Sequence, residues 1–422
     1  MKTLNYFFII TSIILAIIFS CSEDVVNTGL DDNDTITSGN YTVTQVKSFI
    51  SQSSKEFAFD IFKAIESNQE NSDNIFISPL SMYYALAMAA NGADGQTREE
   101  FNELLGINNI DDGALHNAIQ QLYNEVIPLN NDITVEVANS IWPKTGFPIK
   151  QNYIDEIQDY FMADVKPMDF TAPYAVDSIN NWIEEKTHDK IQDMLDYISQ
   201  DAVLYLINAV YFYGNWKYQF ADTSNYEDYF YKENGSSGLV TFMKQKASFK
   251  YASNQTLSAI KIPYVDSNYY MMILLPQNQK NTDDILNELN SDYWNYLNDT
   301  MINEEITLHM PKFRFSFGTR QINEELISLG LEKPFLPGAD FSAIADAPII
   351  LNRVLHKAFI EVNEEGSEAA AATIIEIIAI CENCGSRIFH LIINRPFIFV
   401  IGQEETNNIL FIGKVAWPNQ NL

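Results

Sequence analysis

Hydrophobic and polar residues alternate with two different periods along this chain. Early in the sequence, hydrophobic residues recur three or four positions apart, which predicts a helix with one buried face: Phe57, Ala58, Ile61, Phe62 and Ile65. Ser78 followed by Pro79 predicts the start of a second helix, because serine caps helices and proline suits their first turn. A third helix is predicted over residues 153–161.

Runs of β-branched and aromatic residues dominate the later part of the chain and predict strands. The predicted strands are residues 133–142, 203–213, 269–275, 306–317, 358–362, 396–401 and 409–417. Helices therefore come mostly before strands. This order favours an α+β fold in which helices pack on large, largely antiparallel sheets.

Residues 364–395 follow neither pattern. The first half of this segment is mostly small residues, where a loop would normally be polar and rich in glycine and proline. If it were a strand, one face would carry Ser367, Ala369, Ala371, Thr373, Ile375, Ile377 and Ala379, with no charge among them. Glu368 and Glu376 would lie on the other face. The pattern predicts an exposed loop that can become a strand; a strand or an alanine-rich helix fixed in one state remains the alternative.

The first 40 residues are predicted to lie outside the fold. Residues 1–20 carry one charge, Lys2, ahead of an apolar run, which indicates an export signal. Cys21 follows directly, as in bacterial lipoproteins, where the signal is cleaved before a cysteine that then carries lipid. Phe19 departs from the small residue usual there, so a signal cleaved elsewhere is the alternative. Residues 21–40 are acidic and predict a flexible tether.

This arrangement predicts an exported protein at the bacterial cell envelope, on the outer membrane or cell surface. The lipid on Cys21 would be its only membrane contact.

Composition narrows the possible functions of the remaining residues, 41–422. They contain no glycine-, proline- or serine-rich linker and are expected to form a single domain. We also expect the protein to be a monomer. The net charge of −30 over the full chain argues against binding to nucleic acid or anionic lipid. The sequence contains no GxSxG, P-loop or HExxH motif, and its five histidines are scattered. We therefore expect no enzyme, no cofactor and no metal site.

Several longer motifs occur in the order and spacing of one known family, and the chain resembles a serpin from about Phe57 to Pro418. The motifs are NIFISPLSMYYALAMAANGADGQTREEFNELLG at 74–106, ANSIWPKTGFPI at 138–149, INNWIEEKTHDKIQDML at 179–195, INAVYFYGNW at 207–216, ITLHMPKFRFS at 306–316, LHKAFIEVNEEGSEAAAAT at 355–373, and NRPFIFVI with ILFIGKVAWP near the end. The resemblance implies three β-sheets, a helical cluster and an exposed reactive loop at residues 364–395.

The resemblance also implies a mechanism. In inhibitory serpins a target protease attacks the loop, forms an acyl-enzyme, and is trapped when the cleaved loop inserts into the central sheet as a new strand. The implied hinge is Glu364, Glu365, Gly366, Ser367, Glu368, Ala369, Ala370, Ala371, Ala372 and Thr373. Its inward-facing residues are small and uncharged, which favours an inhibitor over a non-inhibitory surface binding protein with the same fold.

Other positions match residues that serpins use to control sheet opening. The resemblance places a polar cluster beneath the point where the central sheet opens, formed by Ser78, Ser81, Asn208 and His356. It places Trp216 and Lys312 at the top of that sheet, with Lys312 as the ion-pair partner of Glu364. None of these residues is expected to transfer protons.

Counting from Gly366 at the family's spacing places the reactive bond between Ile380 and Cys381, with Ile378 and Ala379 as alternative cleavage positions. Aliphatic residues there suit elastase-like or subtilisin-like serine proteases, because trypsin-like enzymes require a cation in their specificity pocket. Papain-like cysteine proteases remain an alternative target.

The segment after Ile380 is longer than in typical serpins. Arg387 within it would attract trypsin-like enzymes, but it lies so far from the hinge that cleavage there would leave a slack loop. Cys381 and Cys384 allow three interpretations: a short disulfide, free thiols, or metal binding together with His390. Exported proteins often contain disulfides, which favours the first. The third needs a fourth ligand that the sequence does not identify.

A disulfide between Cys381 and Cys384, next to the reactive bond, would make inhibition sensitive to reductant. We expect the stoichiometry of inhibition to differ between reduced and oxidised protein. Equal stoichiometry under the two conditions would rule this hypothesis out.

Overall fold

The computed structural model describes residues 37–38, 41–69, 73–126, 133–367 and 389–418. Most of the helical structure in these ranges precedes residue 187. The helices are α1 Val43–Ser67, α2 Pro79–Asn91, α3 Gly95–Leu105, α4 Asp112–Val126, α5 Gln151–Phe161, α6 Ala175–Lys186, α7 Thr282–Glu288, α8 Ser291–Thr300 and α9 Asn323–Ser328. Within the described ranges, none of them is both long and apolar enough to cross a membrane.

Strands make up most of the later chain. They are β1 Thr37–Ser38, β2 Tyr41–Thr42, β3 Ile75–Ile77, β4 Ile133–Pro143, β5 Ala163–Val165, β6 Leu204–Asn215, β7 Tyr226–Tyr231, β8 Ser237–Ser253, β9 Leu257–Pro263, β10 Tyr269–Pro276, β11 Ile302–Pro311, β12 Phe313–Gln321, β13 Leu355–Val362, β14 Gly366–Ser367, β15 Phe389–Ile392, β16 Phe397–Gln403 and β17 Ile409–Val415. This mixture confirms the α+β class.

Two large sheets organise these strands. One has the order β12-β13-β14-β6-β4-β5, and the other β15-β11-β8-β9-β10-β16-β17-β3 with β7 paired to β8. Strand β8 is 17 residues long and pairs with β7, β9 and β11, so two of the three expected sheets are continuous here. Among the described strands, only the pairs β4–β5 and β11–β15 are parallel.

Helix α2 contacts both β6 and β17, one strand from each large sheet. It begins where the sequence predicts. The Ser78 hydroxyl accepts a hydrogen bond from the Ser81 amide at 3.3 Å, and Pro79 occupies the first turn. Because the helix is buried along nearly its whole length, its start is a fixed point between the sheets.

Two predicted boundaries differ from the structure. The single strand expected over residues 306–317 is two strands, β11 and β12, which belong to different sheets and meet at Lys312. Pro311 ends the first strand, since proline has no amide hydrogen with which to continue a ladder. Strand β1 lies inside the segment predicted as a tether and pairs with β2.

The six-stranded sheet is divided between β6 and β13. At its upper end the two-residue strand β14 lies between them: Gly366 is opposite Asn215 of β6, and Ser367 is opposite both Gly214 of β6 and Val362 of β13. Below β14, no described ladder pairs β6 directly with β13. Among the described residues, Gly366 and Ser367 are therefore the only ones that join the two halves of the sheet by a ladder.

We expect Gly366→Ala to expel β14 from the sheet. A Cβ at this position would lie 2.1 Å from the Gly214 carbonyl oxygen and 2.8 Å from the Asn215 Cα, and neither backbone atom can move aside cheaply. The free energy of unfolding should fall by about 1–3 kcal/mol, as for other overpacking substitutions, and the Trp216 amide, which donates to the Glu365 carbonyl, should lose protection from hydrogen exchange. Gly318→Ala is the matched control, because a Cβ on this glycine of β12 would meet no atom within 4 Å. Unchanged protection in Gly366→Ala would contradict this account of the sheet.

Candidate functional site

The residues singled out from the sequence fall into two groups, one at each end of the division between β6 and β13. The upper group surrounds β14 and contains Glu364, Trp216 and Lys312. The lower group, about a strand's length away, contains the polar cluster at the start of α2. The two groups hold the halves of the sheet in different ways.

An ion pair fixes the chain just before β14. Lys312 Nζ lies 2.8 Å from Glu364 Oε2, so the expected ion pair is present. Asn225 donates a second hydrogen bond to the same carboxylate. Burial raises the pKa of Glu364, but the hydrogen bonds from Lys312 and Asn225 outweigh this and hold the pKa below its usual value. The carboxylate therefore remains charged and anchored at neutral pH.

Trp216 supports the turn that leads into β14. Its indole Nε1 donates to the Asn363 carbonyl at 2.9 Å, and its backbone amide donates to the Glu365 carbonyl at 2.8 Å. The indole stacks on Tyr264, with ring centres 4.7 Å apart. Asn363 completes the turn, because its side-chain oxygen accepts from the Glu365 amide at 3.0 Å and the Gly366 amide at 3.3 Å.

Ser367 is the last residue of the hinge that the structure describes before residue 389, and its side chain points into the molecule. It is 3% exposed, and its hydroxyl lies 2.7 Å from the hydroxyl of Tyr264. Burial raises the pKa of Tyr264, so the phenol keeps its proton and can donate. Ser367 thus lies on the buried face that the alternation of residues predicts.

The lower group forms two hydrogen-bond chains that start from the same helix end. On one side the Ser81 hydroxyl bonds the Asn208 side chain of β6, which in turn bonds Asn139 of β4. On the other side the Ser78 amide donates to Nε2 of His356 in β13 at 3.3 Å. The start of α2 thus bridges the two strands that share no described ladder of their own.

His356 accepts this bond as a neutral imidazole. It is 5% exposed, and burial lowers its pKa to about 3. Nε2 is unprotonated in this arrangement because it receives the Ser78 N–H. The ring is therefore uncharged near neutral pH, with Nε2 as the acceptor and its single N–H on Nδ1.

Two cavities lie along the division between β6 and β13. A cavity of about 760 Å³ opens beside the lower group, lined by residues of β6 and of the chain leading into β13, including Asn208, Leu355 and His356. A small cavity lies directly beneath Ser367, between Val210 of β6 and Ala358 of β13. Both cavities follow the path that a strand continuing from β14 would take.

A loop after α6 crosses this path. The ring of His188 lies over Tyr211 of β6, with centres 4.4 Å apart, and the Lys190 ammonium lies 5.4 Å from the ring centre of Phe359 of β13. The loop therefore contacts both sides of the division. A strand entering the sheet would have to displace it.

The remaining sequence-predicted site residues lie outside the described residues: Cys21, Glu368, Ala369, Ala370, Ala371, Ala372, Thr373, Ile378, Ala379, Ile380, Cys381, Cys384 and Arg387. The sequence missed four residues that complete the two groups, namely Asn139, Asn225, Tyr264 and Asn363. Of these only Asn363 carried a usable signal, since asparagine just before a glycine turn often caps it. The other three come from distant segments, and only the tertiary fold brings them to the site.

We expect the acid stability of the protein to depend on His356. Its pKa in the folded state is about 3, below the value near 6.5 of an unfolded chain. The unfolded chain therefore binds a proton that the folded protein does not, and the free energy of unfolding should fall as pH drops from about 6.5 to about 3, by up to ~1.4 kcal/mol per pH unit.

His356→Gln keeps an acceptor for Ser78 and removes the titration, so its stability should fall less steeply over this pH range. Urea unfolding at a series of pH values measures both slopes. His188→Gln, at an exposed histidine, is the control and should retain the slope of the natural protein. Equal slopes in all three proteins would exclude this role of His356.

Comparison with known proteins gives consistent matches along the chain. The family model described as "Serpin (serine protease inhibitor)" matches residues 52–418. An uncharacterized serpin-like protein of Methanosarcina acetivorans is 32% identical over 429 residues, covering 99% of this chain and 99% of that protein.

Solved structures are also similar to this chain. The native-state crystal structure of tengpin, a thermophilic serpin, matches with a TM-score of 0.79 at 31% identity, over 90% of this chain and 96% of tengpin. Human thyroxine-binding globulin in complex with thyroxine matches with a TM-score of 0.80 at 22% identity, over 89% of this chain and 100% of the globulin, and so shares the fold. The chain belongs to the serpin family, whose members are typically inhibitors of serine proteases and not enzymes.

Proposed function

We propose that this protein is a suicide inhibitor of serine proteases that traps its target by inserting the cleaved reactive loop between β6 and β13. The observation that carries this proposal is β14, because the first two residues of the inserting segment already lie between those strands. The cavities below β14 give the rest of the loop a path. Residues 369, 371 and 373, which would face inward on that path, are small and uncharged.

The chemistry of trapping needs no catalytic group from this chain. The protease serine hydroxyl attacks the Ile380 carbonyl, and the bond to the Cys381 nitrogen breaks, so that this nitrogen leaves as a protonated amine. Ile380 remains esterified to the protease. If the loop then inserts before water attacks the ester, the protease is carried along and held as an acyl-enzyme. The outcome is a race between insertion and deacylation.

An aliphatic residue at the cleaved position makes elastase-like or subtilisin-like enzymes the proposed targets. Export and a lipid anchor on Cys21 would place the inhibitor at the cell envelope, where it would meet proteases from outside the cell. The formal charge of −30 additionally favours encounter with cationic proteases at low ionic strength.

Mixing the protein with pancreatic elastase and with subtilisin tests the proposal directly. We expect a covalent adduct that survives SDS, together with a released C-terminal fragment whose N-terminal sequencing begins at Cys381. Cleavage across a panel of serine proteases without any adduct would overturn the inhibitor assignment. It would instead support a binding protein with the same fold. An adduct only with papain-like enzymes would correct the target class.

Ala369→Arg should convert the inhibitor into a substrate. Its side chain would enter the sheet as an unpaired buried charge, which costs several kcal/mol and slows insertion relative to deacylation. Gel densitometry should show most of the variant cleaved without adduct.

Ala370→Arg is the matched control, because the next residue faces the opposite side of the inserted strand and keeps its charge in water. It should trap nearly as well as the natural protein. Equal trapping by both variants would contradict insertion with this alternation.

A further inference from the structure

Two histidines meet where the chain re-enters the fold after residue 388. His309 is in β11, and His390 is in β15, the first described strand after the reactive loop. His309 Nε2 lies 3.0 Å from His390 Nδ1. The ring centres are 5.3 Å apart, so the two nitrogens lie close to the line that joins the centres. This is the geometry of one hydrogen bond between two imidazoles.

A third group fixes the arrangement. The Tyr226 hydroxyl lies 2.6 Å from His309 Nδ1, so both ring nitrogens of His309 are engaged. Burial raises the pKa of Tyr226, and the phenol therefore keeps its proton. Whichever His309 nitrogen carries the proton, one proton lies between His309 and His390. If both rings become cations, two N–H groups face each other at this distance and the bond is replaced by repulsion.

We propose that His309 and His390 form an acid-sensitive latch, which holds β15 on the sheet and releases it when both imidazoles are protonated. The latch lies at a weak point of the fold. Strand β15 is an edge strand of four residues, and β11 is its only strand partner among the described residues. Besides this ladder, Leu391 packs into the core and the Phe389 ring contacts Tyr251. The chain that follows is held by the Ile393 amide, which donates to the His309 carbonyl at 2.9 Å, and by the Tyr231 amide, which donates to the Asn394 carbonyl at 2.8 Å.

The surrounding charges determine when the second proton binds. From β8, Lys244 lies opposite His309 in the ladder, and Lys246, two residues on, pairs with Glu305 of β11 at 3.3 Å. From β7, Asp228 is the acidic group that faces the pair. Burial, Lys244 and His390 together lower the pKa of His309 to about 4, against the opposing effect of Asp228. The histidine pair therefore resists a second proton at neutral pH and binds it in acid.

Release of β15 would affect the inhibition proposed above. This step of the inference rests on that proposed function. The intact loop is tied at residue 367 by β14 and at residue 389 by β15. If β15 detaches, the uncut loop gains the length it needs to enter the sheet between β6 and β13. The inhibitor would then be inactivated without meeting a protease, and acid would switch it off.

Hydrogen exchange read by mass spectrometry tests the latch independently of inhibition. In the released state His309 has an ordinary pKa, so acid favours release. The opening constant of residues 389–393 should rise by up to about tenfold per pH unit between about pH 6 and pH 4, after correction for intrinsic exchange. In His390→Asn the amide can still bond His309 Nε2 but carries no charge, so acid should raise the opening constant of this variant less than that of the natural protein. His390 is exposed, and the substitution therefore leaves the core intact.

His188→Asn, which removes a histidine far from this segment in the sequence, is the control. Its residues 389–393 should open in acid as in the natural protein. The same opening constants in the natural protein and in His390→Asn at every pH would overturn the latch. A parallel assay measures residual inhibition after incubation at pH 4.5 and return to neutral pH. Loss of inhibition in the natural protein but not in His390→Asn supports the regulatory role. Retained inhibition despite acid opening overturns that role alone, and a protein that never inhibits contradicts the proposed function while leaving the exchange result valid.

Discussion

The start of helix α2 carries the constraint on which the sheet depends. It bonds β6 through Ser81 and Asn208, and it bonds β13 through Ser78 and His356. Since these two strands share no described ladder below β14, the halves of the sheet are aligned at their lower end by the Ser78 amide and by three side chains, those of Ser81, Asn208 and His356. Each bond is individually weak. Together they let the sheet remain divided without coming apart.

The upper end of the division is held differently. There the ion pair of Lys312 with Glu364, the capped turn at Asn363 and the stacked pair of Trp216 and Tyr264 keep the first hinge residues in place. Under the proposed mechanism, such a molecule gains stability when more of the loop enters the sheet, and a barrier rather than equilibrium keeps it from that state. The lower bridge and the loop at His188 and Lys190 would then both contribute to the barrier.

Much of this could be predicted from the sequence, and the exceptions have physical causes. Helix α2 was predictable because its cap and proline are local signals, and Ser367 because strand alternation fixes its face. The two strands β11 and β12 were merged because both halves of 306–317 have high strand propensity, and only tertiary structure shows that they diverge at Lys312. The hydrogen bond between His309 and His390 could not be predicted from the sequence either, since 81 residues separate them. Pairing across sheets is set by topology, which periodicity does not encode.

Ser78 has two tasks that are performed by different atoms. Its hydroxyl caps α2 and also donates to the Leu410 carbonyl at 2.8 Å, whereas its backbone amide holds His356. A substitution at this position by a residue other than Thr, Asp or Asn removes the cap, whereas only proline removes the amide. The strength of the gate at β13 can therefore be adjusted in evolution mainly through position 356 and its surroundings, while position 78 is constrained by the folding of the helix. Variation among related proteins should accordingly be freer on the β13 side of the bridge than at the helix start.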